Sequence, residues 1–150
     1  MCRSMANICF SVRPIDLKEP RVTIALWCIL IAALLPLVFT AVAKYGHEAG
    51  MHRLNRQPRV FQAELTGFRA RAHWAHLNSI EAFPPFAAAV LVAQWVHAPQ
   101  GRIDLLAVLF IVSRLIYGAF YLSDRPLLRS LTWALGLACM VGLFVVAALA

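Results

Sequence analysis

Long apolar runs separated by short polar breaks set the pattern of this chain. From Val22 to Ala43 there is no charged residue, and a bilayer-spanning helix needs roughly 20 apolar residues. A second long segment runs from Arg71 to about Val96, a third from Ile103 to Leu122 and a fourth from Leu127 to Leu149. The pattern predicts an all-α fold, a four-helix transmembrane bundle with spans at about 22–43, 71–96, 103–122 and 127–149. Pro36 interrupts the first span, which membrane helices tolerate where neighbours satisfy the freed carbonyl. Lys44 and Tyr45 mark its interfacial end. Residues 46–68 form the longest and most basic connection and read as an amphipathic interfacial loop. His97 to Arg102, with Pro99 and Gly101, reads as a tight turn. Ser123-Asp124-Arg125-Pro126 reads as another, with Pro126 where a helix can begin. Residues 1–21 are expected to be a short extramembrane tail, with 22–150 as the membrane domain. The apolar run Ile8–Val12 is too short for a signal-peptide core, and Met5 is an alternative start.

Composition supports a bilayer setting. The chain is 61% hydrophobic and 14% charged, with a mean hydropathy of +0.71, whereas soluble domains are about half apolar and a quarter charged. The net charge of +7 lies mostly in connections beside apolar spans, where it acts as a topology signal. Lys44 to Arg71 together with Arg125 and Arg129 carry eight Lys and Arg, against five in the tail and second connection. That bias predicts a cytoplasmic 44–70 loop with both termini outside. A basic face with aromatic platforms on a soluble module, as nucleic-acid binding needs, is missing from the pattern. The four cysteines show no CxxC pair and no zinc spacing, so neither a disulfide framework nor a redox centre is expected. Cys28 and Cys139 lie within apolar runs and read as small hydrophobes.

Polar side chains at lipid depth are costly and tend to mark a site. At about 100° per residue, Arg71, Asn78 and Glu81 share one face of the second span, at i, i+7 and i+10, with His73 and His76 opposite. Pro84 and Pro85 cannot donate to the carbonyls of Ile80 and Glu81, so a kink is expected just beyond Glu81. On the third span Arg114 lies near the middle, with Tyr117 and Tyr121 at i+3 and i+7. Arg129 opens the fourth span on the same membrane side as Arg71, and Trp133 reads as an interfacial anchor. Gly136 and Gly142 permit close helix contact, but their spacing is not GxxxG, and no function is assigned to them.

Two accounts of these groups compete. In one, Glu81 and Arg114 pair to hold the bundle, which leaves Asn78, both tyrosines and Arg129 without a purpose. In the other, the arginines bind carboxylates bidentately, Glu81 receives an ammonium, and the tyrosine hydroxyls orient the remainder of a small zwitterionic ligand. A cation beside a ligand thiol would favour the thiolate. Glutathione, with two carboxylates, an ammonium and a thiol, fits that description, though residue chemistry alone does not single it out. No metal is expected: His47-Glu48-x-x-x-His52 departs from the zinc-protease spacing H-E-x-x-H, and His73-x-x-His76 lacks a third ligand nearby.

The run Arg71-Ala-His73-Trp74-Ala-His76-Leu-Asn78-Ser-Ile-Glu81-Ala-Phe-Pro84-Pro85-Phe86, then Arg114-x-x-Tyr117-x-x-x-Tyr121 and Arg129, resembles the MAPEG family (membrane-associated proteins in eicosanoid and glutathione metabolism). The resemblance covers roughly 22–149 and looks closest to the bacterial branch. It implies a four-helix protomer, a homotrimer, and glutathione sites between neighbouring protomers facing the cytoplasm. Arg71, His76, Asn78 and Glu81 match the family's second-helix glutathione contacts, Arg114, Tyr117 and Tyr121 its third-helix positions, and Arg129 the thiolate-stabilising arginine. The chain departs from the pattern at Trp74, where eicosanoid-type enzymes usually carry an arginine that grips glutathione.

The resemblance therefore implies an integral membrane glutathione-binding protein of the bacterial cytoplasmic membrane. Its activity would be glutathione S-transferase- or peroxidase-like, with glutathione as co-substrate and a hydrophobic electrophile or lipid as second partner. The alternative, favoured by Trp74, is a non-catalytic membrane scaffold or lipid-binding protein that retains the fold. A transporter fits less well, because most polar groups cluster toward one leaflet.

Overall fold

The computed structural model describes residues 22–44 and 56–150. Its elements are helices: α1 (Ile24–Lys44), α2 (Pro58–Ala63), α3 (Gly67–Trp95), α4 (Gln100–Leu122) and α5 (Pro126–Ala148). The expected tail at 1–21 lies outside the described residues, as do Tyr45 and the His47, Glu48 and His52 grouping. Helices α1, α4 and α5 are each long and apolar enough to cross a bilayer. The 29 residues of α3 reach about 43 Å at roughly 1.5 Å per residue, but polar side chains interrupt its apolar character. The protein is an integral membrane protein with a helical bundle fold.

The four expected long helices are present with shifted edges, three of them as apolar spans and α3 as a fourth, more polar helix. Helix α3 starts at Gly67 rather than Arg71. Gly67 has φ +58, a conformation that only glycine adopts freely, and it follows an extended Thr66. The connection before it contains α2, with Pro58 at its first turn, where a missing N–H leaves no bond unmade. Helix α4 starts at Gln100, so the expected turn through Arg102 is shorter. The Pro99 carbonyl accepts the N–H groups of Arg102 (2.9 Å) and Ile103 (3.3 Å), which draws that segment into the helix. His97, with φ 57, makes the reversal. Helix α3 is continuous through Pro84 and Pro85.

Side-chain bonds fix the directions of the long helices. At one end, the Gln94 amide donates to Thr23 Oγ1 (2.8 Å), and Asp104 Oδ1 accepts the N–H of Ala25 (2.9 Å). That carboxylate satisfies a backbone donor at the α1 N-terminus and complements the positive end of the helix dipole. At the other end, His76 meets the carbonyl of Pro36, and Arg71 meets the carbonyl of Leu122. Consecutive long helices therefore run antiparallel. The most extensive packing is of α1 on α3 and of α4 on α5.

Without a hydrophobic drive between helices in lipid, close van der Waals packing holds such a bundle. Ala72, Ala75, Ala89 and Ala93 line the buried face of α3 and let its neighbours approach. The Phe86 and Phe110 rings stack at 3.9 Å in the core, beside fully buried Val90, Ile103 and Leu143. At Gly118 the Phe39 ring of α1 fills the space a side chain would occupy.

Candidate functional site

Arg114 is the centre of the polar groups. It is buried at 4% exposure, and its Nη1 donates to Asn78 Oδ1 across the α3–α4 contact (3.0 Å). Its Nε and Nη2 are buried with no hydrogen-bond partner among the described residues. The guanidinium lies 4.4 Å from the Tyr117 ring centre and 5.8 Å from that of Phe110. Helix α5 closes over it at Gly136: a Cβ there would lie 3.4 Å from Arg114 Nε and Nη2 and 2.8 Å from Ser113 Oγ. Ser113 donates to the carbonyl of Phe110 (2.7 Å), which satisfies that buried hydroxyl within its own helix.

A ladder of rings and cations leads from Arg114 toward the end of the bundle. Tyr117 meets Tyr121 edge-on at 5.4 Å, and the Arg129 guanidinium covers the Tyr121 ring at 4.6 Å. Such cation–π contacts are worth about 0.5–2 kcal/mol, depending on desolvation. They orient Arg129 through the face of its guanidinium rather than through its N–H groups.

A cavity of about 230 Å³ opens beside Arg114. Asn78, Glu81 and Pro85 line it from α3, Phe110 and Arg114 from α4, and Trp133, Gly136 and Met140 from α5. Glu81 and Arg114 share this cavity, but no ion pair joins them. The account in which the two charges simply clamp the bundle therefore fails.

The remaining expected residues are placed differently. Arg71 Nε donates to the carbonyl of Leu122 (3.3 Å), and its Nη1 lies 3.5 Å from Asp124 Oδ2. It ties the start of α3 to the α4–α5 turn instead of lining the cavity. His76 faces α1: its Nδ1 is 2.9 Å from the Pro36 carbonyl and 2.8 Å from Thr40 Oγ1. A carbonyl only accepts, so Nδ1 carries the proton. The cause was visible on the helical wheel, where His76 falls opposite the Arg71–Asn78–Glu81 stripe. Of the eight expected residues, Asn78, Glu81 and Arg114 line the cavity, Tyr117, Tyr121 and Arg129 form the ladder beyond it, Arg71 meets the α4–α5 turn and His76 meets α1.

Sequence reasoning missed the contribution of α5. Trp133 lines the cavity rather than serving only as an interfacial anchor, and Gly136 makes room for Arg114. The signal was present: Arg129, Trp133, Gly136 and Met140 recur at i, i+4, i+7 and i+11, one helical face.

A model of the MAPEG family matches residues 24–149. The chain belongs to the MAPEG family. The match spans all four long helices of this MAPEG protein, and with them every residue of the site. No curated protein and no solved structure matches it.

Proposed function

We propose that this MAPEG protein binds glutathione or a related low-molecular-weight thiol and uses it on hydrophobic electrophiles, as a glutathione S-transferase or peroxidase does. The observation that carries this reading is the pair of unpartnered donors on buried Arg114, beside a cavity that also holds Glu81 and Asn78. An unmet buried donor costs about 1–3 kcal/mol, more where charged. A ligand carboxylate, accepting two N–H groups at once, relieves it. Glu81 receives the ligand's ammonium, and the Tyr117 and Tyr121 hydroxyls orient its amide backbone. Arg129 stabilises the thiolate, which attacks an electrophilic carbon and displaces its leaving group, or attacks a hydroperoxide oxygen and cleaves the O–O bond, releasing the alcohol and leaving a sulfenic acid that a second thiol converts to the disulfide and water. The working assembly is a homotrimer in the bacterial cytoplasmic membrane, with the 44–70 side cytoplasmic. Arg71 and His76 support the site through the turn and α1.

The test is glutathione titration of detergent-purified protein, followed by thiolate ultraviolet absorbance, with Glu81→Gln and Arg129→Ala alongside. Saturable thiolate formation is expected in the intact protein. Glu81→Gln should weaken binding, and Arg129→Ala should lose the thiolate and turnover while largely sparing binding. Unchanged turnover in Arg129→Ala sinks the assignment. A non-catalytic scaffold is the second reading, favoured by Trp74, which is half-exposed and lies 6.5 Å from Tyr121. Any Arg129-dependent thiol-transfer rate excludes it.

A further inference from the structure

Charge is unequal at the two ends of the bundle. Among the described residues, the end that carries Arg129 holds six arginines and Lys44 against two acids, Glu64 and Asp124. One of those acids, Asp124, already faces Arg71 at 3.5 Å. Among the described residues, the opposite end holds Arg102 and Asp104, which cancel. Arg56, Arg59 and Arg125 are exposed at the basic end.

Apolar groups accompany these cations. Val60 follows Arg59 in α2 and is 49% exposed; Phe68, at the start of α3, is 48% exposed. Phe61, between them in sequence, is buried. Cations beside exposed apolar side chains are the pattern of a segment lying in the membrane interface. The three apolar spans hold this end at the bilayer surface, within reach of the surface potential of acidic lipids.

We propose that Arg56 and Arg59, with the neighbouring cations, form a binding surface for anionic phospholipid head groups. The ligand chemistry is a phosphodiester with net negative charge, carried on acyl chains that meet Val60 and Phe68. A soluble polyanion would make no use of those two side chains. The surface is separate from the thiol site and stands whether or not the protein is an enzyme.

The experiment uses the full chain, delipidated in neutral detergent and titrated with phosphatidylglycerol or phosphatidylcholine, with retained lipid measured after gel filtration. Phosphatidylglycerol should be retained in preference. Arg56→Gln/Arg59→Gln should lower that preference roughly fivefold per arginine. Arg56→Lys/Arg59→Lys and Arg102→Gln should keep it. Raising salt to about 0.5 M should weaken it in the intact protein through screening, a check that needs no variant. Equal retention of both lipids by the intact protein, or an unchanged preference in the glutamine variant, overturns the proposal. Complete displacement of the lipid by glycerol 3-phosphate overturns it too, in favour of a free-phosphate site.

Discussion

Replacing Gly136 with alanine tests the geometry of the site with a single methyl group. The added Cβ would sit 2.8 Å from Ser113 Oγ, closer than real Cβ contacts allow, and both helices around it are continuous. Ser113 is completely buried, and its hydroxyl is held by the bond to Phe110. It must either rotate and lose that bond, about 1 kcal/mol, or α4 and α5 must move apart. Overpacking of this kind costs about 1–3 kcal/mol. For a chain of this size that corresponds to a melting shift of roughly 2–4 °C per kcal/mol. Either response moves Arg114, whose Nε and Nη2 would lie 3.4 Å from the new atom. Gly136→Ala should therefore lower both the apparent melting temperature in detergent and the affinity for glutathione. Gly142→Ala is the control, since its Cβ would meet only the ends of the flexible Leu106 side chain, at 3.4 Å. Adding Ser113→Ala to Gly136→Ala should restore much of the stability, because the closest contact is then gone. Wild-type melting and binding in Gly136→Ala would refute the placement of α5 over Arg114.

Two further substitutions separate ligand contacts from structural ones. Arg114→Met should abolish glutathione binding while leaving the melting temperature of the ligand-free protein unchanged or higher, because it removes a buried charge with two unmet donors. A ligand-free variant that unfolds on purification would show that Arg114 holds the bundle instead. His76→Phe should do the reverse: it loses the bond to the Pro36 carbonyl and about 1 kcal/mol of stability, with glutathione affinity kept within about twofold of wild type. A loss of affinity on the scale of Arg114→Met would place His76 in the binding site after all.

Much of the fold was legible because span length and apolar continuity are properties of local sequence. The ends of the helices were harder, since they depend on single backbone conformations at Gly67 and His97 and on a proline that opens α4. The polar stripes of α3 and α4 were also legible from spacing. Which member of a stripe points inward was not. Arg71 shares a face with Asn78, yet its long side chain reaches back to the turn after α4, a contact 51 residues away in sequence. Helix α5 was read as an apolar span with one arginine, because Trp133, Gly136 and Met140 carry no charge to draw attention. Their role comes from what they face, and only packing shows that.

The separation of Glu81 from Arg114 is the most informative departure from a simple structural account. Two opposite charges at membrane depth attract strongly, and a bundle built only for stability would bring them together or replace both with apolar groups. Here Arg114 is held by one bond to Asn78 and by the Tyr117 ring, while Glu81 stays exposed on the same cavity. The cation is thus positioned by neighbours that do not neutralise it. Asn78 accepts from one nitrogen, and Gly136 lets α5 approach the other two without a side chain that could accept from them. A ligand that brings a carboxylate to Arg114 and an ammonium to Glu81 gains from both charges at once. A neutral or purely anionic ligand gains from only one. On the proposed function, that arrangement selects a zwitterion over either alternative.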